Sequence, residues 1–70
     1  HHQAHCQLTI YNVKGQVVKH LLNNELRSGV HRVKWNGRNE NDEDVASGVY
    51  FYRLLINGQT AACRKMALLK

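Results

Sequence analysis

Apolar and polar residues alternate along the second half of the chain. In Gly48–Ile56 the residues Tyr50, Tyr52, Leu54 and Ile56 fall on one side, and Phe51 and Arg53 on the other. A period of two is that of a half-buried β-strand rather than a helix. The same alternation recurs near the start, where Cys6, Leu8 and Ile10 share a face opposite Gln7, Thr9 and Tyr11. A strand is therefore predicted over about His5–Asn12. A second is predicted over about Gln16–Leu22, where Val17-Val18 and Leu21-Leu22 break the alternation and call for a twist, a bulge or a short run. A third covers Val30–Trp35, with Val33 and Trp35 inward and Arg32 and Lys34 on the wet face. The fourth is Gly48–Ile56, and the fifth Gln59–Leu69, with Met66 and Leu68 inward.

The segments between these runs carry turn chemistry. Lys14-Gly15, Ser28-Gly29 and the polar Asn23-Asn24-Glu25 separate the early strands, and Leu26 is expected to tuck under the edge of the fold. Asn36–Ala46 is the longest loop, and Asn57-Gly58 is the sequence of a type I′ hairpin turn. Five short strands with no helix-length periodic segment predict an all-β fold of about five antiparallel strands, a β-sandwich or a partial barrel.

Seventy residues make one domain, and so short a chain buries only roughly 60% of its unfolded surface. Residues 1–4 are expected to be a disordered or tag-like segment and residues 5–70 the domain. No apolar run approaches the roughly 18 residues of a membrane span, and no apolar stretch follows His1-His2-Gln3 as a signal peptide requires. The chain has no initiator Met and reads as a piece of something longer. Its formal net charge of +5 raises the question of nucleic acid. The cations are scattered, however, while four of the five acids gather at Glu40, Asp42, Glu43 and Asp44, so a phosphate-tracking patch is not expected.

Candidate chemistry is sparse. His1, His2, His5 and Cys6 have ligand side chains suited to zinc or copper, but their spacing fits no closed site. Asn39–Asp44 offers oxygen ligands but lacks the Gly and the bidentate Glu of a calcium loop. Cys6 should face inward and Cys63 outward, which argues against a bridge between them. Ser28 and Ser47 sit in no nucleophile elbow, His20 and His31 have no carboxylate at a suggestive spacing, and there is no phosphate-binding glycine loop. The expectation is a protein with no catalytic activity and no cofactor. Tyr11, Phe51 and Tyr52 would form an interaction patch if Tyr11 and Phe51 proved adjacent and exposed.

The segments L-T-I-Y-N-x-x-G-Q-V-V, S-G-V-H-x-V-x-W-N-G, V-A-S-G-V-Y-F-Y-R-L and R-K-M-x-L-L-K resemble the FlgD-type Ig-like domain, over about Ala4 to Lys70. That module occurs in flagellar hook-capping proteins, and at the C-termini of secreted bacterial proteins it resembles the type IX secretion sorting domain. The resemblance gives structural roles to Gly15, Gly29, Gly37, Gly48 and Gly58, and to Trp35 and Tyr50 as core fillers. Two departures stand out. The Asn-Pro-rich first strand usual in the family is missing, which implies an Ig-like β-sandwich incomplete at its N-terminal edge, to be completed by another copy, another chain or a rearranged local segment. Asp42 stands where the family loop usually has Gly. The resemblance implies a C-terminal module of a larger bacterial protein, secreted or on the cell surface via the periplasm. Such a module would act in sorting, attachment or spacing, with secretion or attachment machinery as partner. The alternatives are an assembly module of the hook-capping kind and, in a different class, a basic nucleic-acid-binding β-domain.

Overall fold

The computed structural model describes residues 3–27 and 33–69. Within them the strands are β1 (Gln3–Tyr11), β2 (Val17–Arg27), β3 (Gly48–Ile56) and β4 (Gln59–Leu68). All pairings are antiparallel, in one sheet of order β2-β1-β3-β4. The all-β class holds, with four strands among the described residues rather than about five. The N-terminal strand is central in the sheet, so the open edges fall on β2 and β4. No helix among the described residues is long and apolar enough to cross a membrane.

The broken alternation of β2 has a definite cause. The β1–β2 register passes from Leu8↔Leu22 to Thr9↔His20, and from Ile10↔Lys19 to Tyr11↔Val17. Leu21 and Val18 are thus the surplus residues of two bulges. Each bulge turns one extra apolar side chain onto the core face, where Val18 is buried and Leu21 packs against it. Asn23, Asn24 and Glu25, expected as a turn, instead continue β2 against Gln7, Cys6 and His5. Cross-strand pairing outweighs their turn preference. Leu26 is half-buried opposite Ala4. At the other end β1 takes in Gln3 and Ala4, two residues before the expected start.

The β3–β4 hairpin closes through Asn57 (φ 52°) and Gly58 (φ 82°), the pair of positive angles that a type I′ turn demands. Asn57 also ties the turn to β1. Its N–H donates to His5 O at 2.8 Å, and its Oδ1 accepts from His5 N at 3.0 Å.

The core is small. Ile10, Val18 and Tyr50 are buried, and Leu21, Trp35, Val45, Tyr52, Met66 and Leu68 pack around them. Met66 and Leu68 face inward as their parity predicts. The strand expected over Val30–Trp35 lies partly outside the described residues, and its described part, Val33–Trp35, is not in a strand. Trp35 instead lays its ring edge-to-face on Tyr50, with centroids 5.2 Å apart. The 33–47 segment thereby covers part of one sheet face, where a sandwich has its second layer.

Two loops share one backbone clasp. In Asn12–Gln16, Asn12 Oδ1 accepts from Lys14 N and Gln16 N, Gly15 N donates to Asn12 O, and Asn12 N donates to Gln16 O. In Asn39–Glu43 the same four bonds recur. Asn39 Oδ1 accepts from Asn41 N and Glu43 N, Asp42 N donates to Asn39 O, and Asn39 N donates to Glu43 O. The fourth position is left-handed in both, at Gly15 (φ 81°) and Asp42 (φ 61°). The departure at Asp42 therefore leaves the four bonds of the clasp in place, and Arg38 lies 3.6 Å from both Asp42 and Asp44. These ion pairs are exposed, each worth about 1 kcal/mol at most, while left-handed geometry costs a residue with a Cβ roughly 1–2 kcal/mol. Asp42→Gly is accordingly expected to be neutral to stabilising by up to about 1 kcal/mol in urea unfolding. Clear destabilisation would mean that the carboxylate, not the backbone, holds the loop.

Candidate interaction surface

The two large core aromatics satisfy their polar ends within the 35–46 segment. Trp35 Nε1 donates to Arg38 O at 2.9 Å, and Tyr50 Oη donates to Ala46 O at 2.6 Å. The Tyr50 bond reaches four residues upstream, the arrangement of a tyrosine corner in Ig-like sandwiches. Gly15, Gly37, Gly48 and Gly58 all have positive φ. Gly29 lies outside the described residues.

The metal candidates do not converge. His1 and His2 lie outside the described residues. His5 and Cys6 are successive strand residues and point to opposite faces. His5 Nε2 is 2.6 Å from Asn23 Oδ1, and the Cys6 thiol contacts Ala4 O at 3.7 Å. Among the described residues no group of three or more His, Cys, Asp or Glu could hold a metal ion. In Asn39–Asp44, the Asn39 amide oxygen and the Glu43 and Glu40 carboxylates are all engaged in hydrogen bonds. Cys6 lies opposite Ile56 and Cys63 opposite Arg53, on the two sides of the sheet, and both thiols are free.

The structure does place apolar surface together. On the core face an open groove of about 290 Å³ is lined by Leu8, Leu21, Val33, Trp35, Tyr52 and Met66. Val33 stands at its rim, 42% exposed. On the other face Tyr11 and Phe51 are direct cross-strand partners, both half-buried. With Val13, Arg53 and Cys63 they border a second hollow of about 280 Å³. They are adjacent as the patch requires, but only partly exposed.

The two sheet edges differ. Beside β2, Glu40 N donates to Val18 O and the Glu40 carboxylate accepts from His20 N, so the loop occupies the backbone groups at the bulges. Beside β4 no described residue pairs with the outer backbone. Sequence reasoning did not anticipate the Glu40 clasp. Its signal is the repeated pattern of Asn, then Gly or Asp three residues on, then Gln or Glu, which closes a loop compact enough to present Glu40.

The family model for the FlgD Ig-like domain matches residues 2–59. Comparison with curated proteins and with solved structures yields no match. The family match ends where β4 begins, short of the Lys70 limit of the expected resemblance, and carries nothing about type IX sorting. A single antiparallel sheet, a tyrosine corner and a matching family model over most of the chain lead to one conclusion: the chain belongs to the FlgD Ig-like domain family.

Proposed function

We propose that this domain is a non-catalytic assembly module of the hook-capping kind, working by protein–protein contact. The observation that carries the reading is the core-face groove of a family member: Leu8, Leu21, Trp35, Tyr52 and Met66 lie half-covered on one side of a single sheet. Apolar surface left in contact with water is the usual mark of an interface. Family membership supports assembly over sorting, since the family is named for a flagellar protein. The nucleic-acid reading has less support, because the rings beside Arg53 and Lys65, Tyr11 and Phe51, are half-buried. Binding would use the groove as a pre-formed apolar seat, with no bond made or broken. Sedimentation velocity from about 1 µM to about 1 mM is expected to show concentration-dependent association, in the range of weak interfaces. Val33→Glu, at the exposed rim of the groove, should abolish that association without unfolding the domain. A chain that stays monomeric throughout, with the variant indistinguishable from it, would defeat the proposal.

A further inference from the structure

We propose that the outer edge of β4 takes up an extended acidic segment of a partner protein as an added strand, setting two consecutive carboxylates against Arg64 and Lys65. This deepens the assembly reading and rests on it, but uses a different surface from the groove.

Three observations carry it. The first is availability. β4 is ten residues long, contains no Pro, and has no described residue along its outer side, whereas Glu40 occupies the β2 edge at Val18 and His20. An uncovered edge offers a row of N–H and C=O groups to an incoming strand. The second is charge. β4 carries Arg64 and Lys65 and no acid, and the neighbouring β3 adds Arg53. All three side chains are exposed, and no carboxylate among the described residues pairs with them. The third is direction. Arg64 lies opposite Tyr52 on the core face and Lys65 opposite Phe51 on the other face. Cations at successive positions project to both sides of the sheet, so an added strand meets one on each face. The complementary sequence has acids at two successive positions, flanked by β-formers whose alternate side chains extend both faces.

A second copy of this chain fits the edge poorly. Antiparallel pairing of β4 with itself sets Arg64 and Lys65 near their own equivalents, or, in registers that separate them, opposite uncharged residues such as Thr60 and Gln59. The other edge strand, β2, has Glu25 as its single acid, between Lys19 and Arg27. Neither supplies consecutive carboxylates.

The test uses the whole 70-residue chain, isotope-labelled, and the peptide Ser-Val-Thr-Glu-Asp-Thr-Val-Ser. Titration is expected to shift the backbone amides of β4, strongest at alternate residues, and to leave those of Val18 and His20 unmoved. A peptide with Lys-Lys in place of Glu-Asp should bind about tenfold more weakly, as should the acidic peptide to the chain carrying Arg64→Ser and Lys65→Ser. N-methylation at alternate peptide amides should abolish binding, because main-chain hydrogen bonds supply the affinity. The proposal is overturned if the acidic peptide leaves β4 unmoved, if the N-methylated peptide binds as well as the parent, or if the β4 amides respond only to the concentration of the chain itself. Sedimentation of Val33→Glu reports separately on the groove, so failure at the edge and failure of the assembly reading give different results.

Discussion

Tyr50→Ala is expected to leave the chain largely unfolded at room temperature. A single core in a chain of this size rarely supplies more than about 3–5 kcal/mol, and truncating a buried aromatic costs about 3–5 kcal/mol. Tyr50 is one of only three buried apolar residues among those described, and it carries three jobs. Its ring fills the core between β1 and β4, its edge-to-face contact seats Trp35, and its hydroxyl holds Ala46 O. Tyr50→Phe separates the hydroxyl from the ring. It leaves the packing and orphans one acceptor, for an expected loss of about 1–2 kcal/mol and a midpoint lower by roughly 5–15 °C. Trp35 is the single tryptophan, so its fluorescence follows the unfolding directly. If Tyr50→Ala melted with the parent chain, the assignment of Tyr50 to the core would be wrong.

Ile10→Ala should cost nearly as much, about 2–4 kcal/mol in urea unfolding. Ile10 is 2% exposed on the central strand, between the bulged β2 and Tyr52 of β3. With so few neighbours behind it, the vacated space would open toward the groove rather than collapse, and water entry would relieve part of the penalty. Ile56→Ala is the control. Ile56 is 37% exposed at the hairpin end, and its truncation should cost under about 1 kcal/mol. Equal losses at the two sites would mean that the sheet has no inside.

Much of this architecture was legible from alternation and turn chemistry. Asn57-Gly58 specified its turn because two adjacent positive φ values are accessible to few residue pairs. Parity placed Tyr50, Tyr52, Met66 and Leu68 correctly because each lies in a regular ladder. The failures occurred where long-range pairing overrides local preference. Asn23-Asn24-Glu25 looks like a turn until β1 supplies partners for it. The bulges at Val18 and Leu21 were visible as broken alternation, but their register depends on which β1 residues they skip. Trp35 was expected inside a strand and does its packing from outside one, because its partner, Tyr50, sits on a distant segment. The edges were the least legible. Which strand ends a sheet depends on strand order, and two strands far apart in sequence, β1 and β3, lie side by side in its middle.

The twin bulges have a consequence for growth. With two surplus residues between Val17 and Leu22, the β2 margin lacks the even spacing that a flat incoming ribbon would have to match, and a glutamate already sits there. Growth is therefore hindered at the bulged half of β2, while its Leu22–Arg27 half keeps a regular ladder with β1. A ribbon docking on that side would be limited to the short regular half.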